Sequence, residues 1–218
     1  MDWNWLIKHR GWCDENGNLV SLNLRLMSLI TLPTWIGQLT TLTELDVSRN
    51  YLQSLPPEIS RLNALTIFSI SHNRLHTLPA EIGQLTNLTK LCVSCNLLQT
   101  LPAWIGQLTN LTTLNVPWNG LHTLPAEIGQ LTNLTTLSVW GNKLQTLPPI
   151  IPSCTIDGPV EGLVKSSHQI WTKRATIVLS YAVCWTRRRK EGRRDGLTGL
   201  PRLVTCQLIE LLFAGYDD

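Results

Sequence analysis

Apolar side chains recur along the chain with a period of 23 residues. The leading leucine of each unit is Leu19, Leu42, Leu65, Leu88, Leu111 or Leu134. In the unit that begins at Leu111, the other apolar positions are Leu114, Val116, Leu121, Leu124, Ile128 and Leu131. A fixed period of this length indicates a solenoid, in which each unit packs on its neighbours. Such a chain presents a long open surface, which favours binding over catalysis.

Each unit divides into two parts with different spacing. Residues 111–116 read Leu-x-x-Leu-x-Val, a short alternating pattern that predicts a strand. Residues 125–131 have helical spacing, which predicts a short helical return. Stacked units would pair their strands in parallel at about 4.8 Å, with the leucines buried between strands and helices. The pattern therefore predicts an α/β solenoid.

Two further residue types recur at fixed positions. The turn after each predicted strand carries an asparagine at Asn50, Asn73, Asn96, Asn119 and Asn142. An amide there can both donate to and accept from backbone groups that leave the sheet. The predicted returns begin near Pro33, Pro56, Pro79, Pro102, Pro125 and Pro148, where a missing N–H is harmless. Both sets are interpreted as structural.

The repeated pattern Leu-x-x-Leu-x-Leu-x-x-Asn-x-Leu-x-x-Leu-Pro-x-x-Ile-x-x-Leu resembles the leucine-rich-repeat family in its 23-residue form, as in intracellular signalling scaffolds and Ras-associated repeat proteins. The resemblance covers Leu19 to about Pro152. It implies a horseshoe with a parallel sheet on the concave face, short helices on the convex face, helical caps and a role in protein recognition. The first unit departs from the pattern, with Met27 at the asparagine position.

The segments outside the repeats are expected to cover the ends of the solenoid. Residues 1–18 form the predicted amino-terminal cap, with Asp2 as a candidate helix N-cap and Gly11 as a candidate stop. Its tryptophans are interpreted as an apolar lid over the first repeat: Trp3, Trp5 and Trp12. Residues 19–152 hold six repeats, and three prolines at residues 148–152 end the array.

Residues 153–218 form a predicted helical, basic capping tail. The tail carries ten Lys and Arg against seven Asp and Glu, whereas residues 1–152 carry eight of each. The densest basic stretch, residues 187–194, is interpreted as a solvated loop because acidic residues are interleaved and aromatic partners are missing. Nucleic acid is therefore not the expected partner. Residues 200–212 resemble a docking helix of an F-box or SOCS-box, which leaves open a role in recruiting a ubiquitin ligase.

Six cysteines are scattered along the chain, and only Cys92 and Cys95 lie close together. On an extended strand, residues three apart are about 10 Å from each other, which is too far for a disulfide. A zinc site would need a second pair. We therefore expect no disulfide and no metal site, and no cofactor is expected either. Reduced thiols fit a cytoplasmic protein.

No stretch approaches the about 20 apolar residues that a membrane span needs, and the amino terminus lacks the pattern of a signal peptide. Glycosylation sequons at Asn87, Asn110 and Asn133 are a by-product of the repeat and are read as incidental.

Candidate binding residues follow from strand alternation, which points the residues between the leucines to the concave face. These are mostly small or weakly polar: Glu44, Asp46, Ile67, Ser69, Lys90, Cys92, Thr113, Asn115, Thr136 and Ser138. The ends of the strands are richer in the residue types that dominate interfaces, and we predict partner binding by Arg49, Tyr51, His72, Arg74, Trp118, Trp140 and Lys143. Packing on neighbouring backbone is the open alternative for Trp118 and Trp140.

The sequence contains no phosphate-binding loop, no zinc-protease motif and no nucleophile elbow, and its five histidines are dispersed. We therefore expect a non-enzymatic scaffold that binds a protein on its concave face. The alternative is a ubiquitin-ligase substrate adaptor that docks through its carboxy-terminal tail.

Overall fold

A computed structural model of the protein describes residues 3–148 and 154–158. The chain begins with helix α1, Trp3–Arg10, and continues into strand β1, Gly11–Cys13. Seven further strands follow: β2 Leu19–Asn23, β3 Glu44–Asp46, β4 Ile67–Ser69, β5 Lys90–Cys92, β6 Thr113–Asn115, β7 Thr136–Ser138 and β8 Thr155–Asp157. The predicted helical docking segment at residues 200–212, with the rest of the tail from residue 159, lies outside the described residues.

The strands form one sheet in chain order. From β2 to β8 every neighbouring pair is parallel, and Leu91 on β5 lies beside Phe68 on β4 and Leu114 on β6. The register between β2 and β7 advances by the 23-residue period that the sequence shows. The predicted parallel repeat sheet is thereby confirmed, and β1 adds an antiparallel strand at its amino-terminal edge.

The returns on the other side of the core are 3₁₀ helices of five residues each. They span Thr34–Gln38, Pro57–Arg61, Ala80–Gln84, Ala103–Gln107 and Ala126–Gln130. In each, the isoleucine N–H bonds to the proline carbonyl three residues earlier, as Ile36 does to Pro33 at 3.1 Å. The prolines precede the helical residues in extended conformation, so they set the approach to the return rather than its first turn.

A single continuous core lies between the sheet and the 3₁₀ returns. Its members are the repeating leucine, isoleucine and valine positions, and Phe68 is the largest side chain that is fully buried. Trp35 and Trp104 pack against this core from the return side. The ring of Trp104 packs over Gly83 of the preceding repeat, where an added Cβ would lie 3.4 Å from the ring.

The asparagine column forms the bridge that its chemistry predicts. The Nδ2 of Asn96 donates to the carbonyls of Ile70 in the preceding repeat and of Val93 in its own, both at 3.1 Å. Its Oδ1 accepts the N–H of Leu75 at 3.1 Å. The same pattern holds at the buried Asn73 and Asn119 and at the half-buried Asn142, so each amide ties two consecutive repeats together.

Two outer ladders, which sequence reasoning missed, run parallel to this one. Threonine hydroxyls at the start of the strands donate to carbonyls one repeat earlier, as Thr89 does to Thr66 at 3.1 Å. The sequon asparagines do the same between the returns and the strands: Asn87, Asn110 and Asn133 donate to carbonyls 24 residues earlier. The amides of the sequons therefore have a structural task in this fold.

The amino-terminal segment departs from the expected lid in one respect. Helix α1 ends at Arg10, and Gly11 begins β1, as its role as a stop predicts. Trp12, however, is 73% exposed, so the prediction that it covers the first repeat is wrong. Trp12 pairs with Ser21, which precedes the buried Leu22 on β2, so strand alternation places its side chain on the face of the sheet away from the core. Ile7 of α1 packs against the core instead.

Strand β8 lies within the segment that the sequence assigns to the helical tail. Thr155 pairs with Thr136, an offset of 19 residues instead of 23, and Ile156 packs against the core. The N–H of Val139 bonds to Asp157 O at 2.8 Å. The sheet thus continues one strand beyond the predicted end of the array at Pro152.

We expect a chain that ends at Pro152 to unfold at a lower temperature than a chain that ends at Gly158, because only the longer one retains β8. Loss of β8 exposes the edge of β7 and uncovers apolar side chains of the last repeat. Thermal unfolding followed by circular dichroism measures the difference. Equal midpoints would show that β8 contributes nothing to the sheet.

Candidate protein-binding surface

The candidate site is built from the turns by which the chain leaves each parallel strand. We call these the exit turns: residues 24–30, 47–53, 70–76, 93–99, 116–122 and 139–145. Each begins with a buried aliphatic residue and contains the asparagine position of the repeat. A leucine two residues after the asparagine position, from Leu29 to Leu144, is also buried in every turn. The other positions are mostly more exposed and differ from repeat to repeat, so they are the places where specificity can be encoded.

One position of every exit turn is held in the left-handed backbone region. Gly141 occupies it in the last turn, with φ 65°, and five residues with side chains occupy it in the others: Leu26, Arg49, His72, Cys95 and Trp118, with φ between 54° and 61°. Their N–H groups bond to the following repeat, as that of His72 does to Ser94 O at 2.7 Å. The left-handed region disfavours residues other than glycine by roughly 1–2 kcal/mol.

Exposed apolar side chains concentrate on the exit turns. Among the described residues, six large hydrophobic side chains are exposed, and all but Trp12 lie there: Leu26, Ile30, Tyr51, Leu97 and Trp118. Trp118 is 57% exposed and Ile30 is 63% exposed. Exposed apolar groups gathered on one surface are typical of an interaction site.

At the amino-terminal end of this surface, Arg74 stacks on Tyr51. The guanidinium carbon lies 4.8 Å from the centre of the phenol ring, within the range of a cation–π contact. The same two side chains, with Ile30 and Gln53, line a shallow open depression. The structure thus brings together Tyr51 and Arg74 of the predicted site and adds Ile30, which sequence reasoning missed.

A second group of positive side chains adjoins this depression. Partial burial lowers the pKa of His72 below its usual value, and the positive charges of Arg49 and Arg25 lower it further. Both effects favour the neutral form of the His72 imidazole. Burial raises the pKa of the Cys95 thiol, which Arg49 partly offsets.

At the carboxy-terminal end, the two predicted tryptophans differ in their surroundings. The indole of Trp118 lies against Gly141, where an added Cβ would come within 2.5 Å of the ring. Trp140 is half-buried, and its Nε1 donates to Asp157 Oδ1 at 2.7 Å. Packing on backbone, the alternative that the sequence left open, thus occurs at Trp118 without burying it. Lys143 is exposed on the same turn.

The centres of the strands have little chemistry of their own. Glu44 and Lys90 are exposed, and Asp46 accepts the N–H of Ser48 at 2.8 Å. Cys92 accepts a hydrogen bond from Asn115 Nδ2 at 3.4 Å. The cysteines that the structure describes carry free thiols, and within residues 3–148 and 154–158 no three His, Cys, Asp or Glu side chains gather as metal ligands. No helix in this part of the chain is long and apolar enough to cross a membrane.

The register of the repeat could have revealed the residues that were missed. Leu26 shares the turn position of Arg49, Ile30 that of Gln53 and Leu97 that of Arg74. In sequence these aliphatic residues look like core, because each has a buried leucine as a near neighbour. Assigning them by register places them on the exit turns.

Comparison with known proteins places the repeats in a described class. Residues 36–119 match the model of a leucine-rich repeat region, and residues 133–154 match the leucine rich repeat model. A comparison with curated proteins gives no match.

Several solved structures are similar to this chain. A leucine-rich-repeat protein of Leptospira interrogans is 34% identical, with a TM-score of 0.55, over 66% of this chain and 43% of that one. The functional domain of InlJ from Listeria monocytogenes, which includes a cysteine ladder, is 27% identical, with a TM-score of 0.56, over 68% of this chain and 32% of that one. A chain of the BIR3–SERK2 complex from Arabidopsis thaliana is 26% identical, with a TM-score of 0.51, over 65% of this chain and 77% of that one. The chain spans less than half of the length of the two bacterial proteins. The matches to the repeat models and the similarity to solved structures agree that the fold is a leucine-rich-repeat solenoid.

Proposed function

We propose that this leucine-rich-repeat solenoid binds a protein partner along its exit turns. The observation that carries the proposal is the gathering of exposed apolar side chains there, in company with arginine, tyrosine and tryptophan. These are the residue types in which binding energy concentrates at protein interfaces. The non-enzymatic scaffold that the sequence predicts is the general role to which this proposal adds a location.

The dimensions of the surface favour a macromolecule over a small ligand. Six exit turns at about 4.8 Å per strand extend over roughly 24 Å. A small-molecule site is concave and encloses most of its ligand. The depression beside Tyr51 is shallow and open, and it suits one side chain of a larger partner.

The conformation of the turns supports the proposal independently. The left-handed position of each turn accepts glycine without cost, as at Gly141, yet five turns carry a side chain there. Retaining Arg49, His72 and Trp118 at such positions costs backbone energy in each repeat. A binding role for those side chains accounts for it. A chain of the BIR3–SERK2 complex, to which this chain is similar, is itself part of an assembly of two proteins.

We expect Trp118→Ala to weaken partner binding by about 2 kcal/mol or more, roughly 30-fold in Kd, because a large exposed tryptophan at an interface carries much of its affinity. Isothermal titration with a partner captured from the native cell and then purified measures this. Thr113→Ala on β6 is the matched control and is expected to be nearly neutral.

Trp140→Ala is a less specific variant, because it also removes the bond to Asp157 and is expected to lower stability. Circular dichroism on each variant separates the two effects. The proposal is wrong if folded Trp118→Ala and Trp140→Ala proteins both bind that partner as tightly as the parent chain does.

A further inference from the structure

We infer that Asn16, in the turn between β1 and β2, is a site of spontaneous covalent modification, at which deamidation converts the side-chain amide to a carboxylate with water as the only co-reactant. Two asparagines of the sequence precede a glycine, in Asn16–Gly17 and in Asn119–Gly120. The fold leaves the first of them open to reaction and protects the second. The inference concerns the amino-terminal hairpin and is independent of the proposed binding function.

The reaction joins a side chain to the backbone of the next residue. The backbone nitrogen of Gly17 gives up its proton and bonds to Asn16 Cγ, while the bond from Cγ to Nδ2 breaks and the amide nitrogen leaves as ammonia. The product is a cyclic succinimide. Water then opens the ring at either carbonyl carbon, which gives aspartate in the ordinary backbone or isoaspartate, whose backbone runs through the side chain. Nothing is oxidised or reduced.

Glycine after the asparagine favours this reaction, because a residue without a Cβ lets the two groups approach closely. Gly17 has φ 81°, and nothing lies within 4 Å of the position that its Cβ would occupy. At Gly120 an added Cβ would lie 3.3 Å from Leu98 O. The surroundings of Gly17 are therefore open, whereas the preceding repeat packs closely against Gly120.

Asn16 lies at the tip of the hairpin. Both Asn16 and Gly17 are exposed, and within residues 3–148 and 154–158 the Asn16 amide has no hydrogen-bond partner. The Gly17 N–H donates to Asp14 O at 3.0 Å, inside this surface turn. Surface turns open locally at a small cost in free energy. Opening of the turn frees the Gly17 nitrogen for attack on an amide that is already in solvent.

Asn119 has the opposite surroundings, because it belongs to the buried asparagine column. Its Nδ2 donates to the carbonyls of Val93 and Val116, and its Oδ1 accepts the Leu98 N–H, each at 3.1 Å. The Gly120 N–H donates to Leu98 O at 2.7 Å. Reaction at Asn119 requires that all of these bonds break inside the array, which costs a large part of the free energy of unfolding. In the folded protein, modification is thus confined to Asn16.

Asp14 controls how often the turn opens. Its Oδ1 accepts the backbone N–H groups of Asn16 and Asn18, both at 2.9 Å, and its Oδ2 accepts Asn18 Nδ2 at 3.1 Å. These bonds from one side chain hold both sides of the turn. A chain without the Asp14 carboxylate therefore opens the turn more often, and its Asn16 reacts faster.

Modification weakens the hairpin that follows α1. A new carboxylate at position 16 lies in sequence beside Asp14 and Glu15, whose negative charges repel it. Isoaspartate also lengthens the backbone between residues 16 and 17, which moves the N–H groups of Gly17 and Asn18 away from their acceptors on Asp14. Because this turn joins β1 to β2, we expect the amide hydrogens of β1 to exchange faster once Asn16 has reacted.

Peptide mapping by mass spectrometry on the full chain tests the inference. The protein is incubated at mildly alkaline pH, where the attacking nitrogen loses its proton more readily, and the modified fractions of Asn16 and Asn119 are followed with time. In the folded protein Asn16 is expected to react at least about tenfold faster than Asn119. In concentrated urea both should react at similar rates, since the protection of Asn119 is then lost.

Variants separate the effect of the turn from that of the sequence. Asn16→Gln is expected to stay unmodified, because the longer side chain would have to close a larger ring. Asp14→Ala is expected to react faster at Asn16 and unchanged at Asn119. Glu15→Ala removes a carboxylate of the same turn that lies outside its hydrogen bonds, so it is the matched control and is expected to alter the rate by less than about twofold. Circular dichroism verifies that each variant folds.

The outcomes are distinct. Equal rates at Asn16 and Asn119 in the folded protein would overturn the inference, as would an Asn16 that stays intact while both asparagines react in urea. An Asp14→Ala rate equal to that of Glu15→Ala would show that Asp14 does not control the turn. Hydrogen exchange of β1 is expected to be faster in aged than in fresh protein, and unchanged on ageing of Asn16→Gln. Equal exchange in aged and fresh protein would show that modification leaves the hairpin intact.

Discussion

Replacing Asn96 by alanine is expected to lower the free energy of unfolding by about 3 kcal/mol or more. The substitution removes the acceptor of the Leu75 N–H and the donors to the Ile70 and Val93 carbonyls, all of which are buried. The Leu75 N–H is left unsatisfied, which costs about 1–3 kcal/mol for a buried group. The Ile70 and Val93 carbonyls keep Asn73 and Asn119 as donors, so each of these two lost bonds adds only about 0.5–1.5 kcal/mol. Urea denaturation followed by circular dichroism measures the change.

Asn110→Ala supplies a matched control, because Asn110 makes one amide hydrogen bond, to Thr86 O at 2.9 Å, at an exposed position. Its loss is expected to cost under about 1 kcal/mol, since water can replace the bond. Asn96→Asp keeps an acceptor but loses the donors and buries a charge, so it should not rescue stability. Equal effects at Asn96 and Asn110 would contradict the assignment of the inner ladder as the principal bridge between repeats.

The core of the fold could be predicted from the sequence because one pattern recurs in register. Leu114 taken alone could face either the core or the solvent. Leucine or phenylalanine at the equivalent positions 45, 68, 91 and 137 indicates that its side chain faces the core. The same register predicted that the recurring asparagines bond to the backbone at the turns. Neither depends on details of geometry, because in a solenoid each unit repeats the contacts of the previous one.

The type of return and the end of the array could not be predicted in this way. A five-residue return buries its isoleucine equally well as a 3₁₀ or an α-helix, and periodicity cannot separate the two over one turn. Strand β8 was missed because the last repeat is shortened: position 157, where the period requires a leucine, holds Asp157. Trp12 was misplaced because its exposure depends on pairing with β2, which leaves no repeated signal.

The candidate binding surface could be predicted from the sequence only in part. Arg74 and Tyr51 were predicted from residue type and register, and the structure adds their mutual contact. The separation of charge between the exit turns and the returns was already present in the sequence, but it acquires meaning only when these two parts lie on opposite sides of the core. That arrangement places four positive side chains and no carboxylate on the exit turns, although the chain has a net charge of only +3.

The other large effect is expected for Leu114→Ala, which should lower the free energy of unfolding by about 2–5 kcal/mol. Leu114 is fully buried on β6, between Leu91 and Leu137 in the register of the sheet. Because the truncated side chain would leave a cavity shared with both neighbouring repeats, the surrounding structure can collapse into it only in part. Thr113→Ala, on the same strand, is the matched control and should change stability by less than about 0.5 kcal/mol.

The same experiment tests whether the array unfolds as one unit. If the repeats are coupled through their interfaces, Leu114→Ala shifts the midpoint of urea unfolding while the slope m stays constant, since the whole surface is still exposed in one transition. A lower slope with two transitions would show that weakening β6 divides the array into blocks that unfold separately. An unchanged midpoint would mean that Leu114 is not in the core, and the register of every strand in the sheet would have to be reassigned.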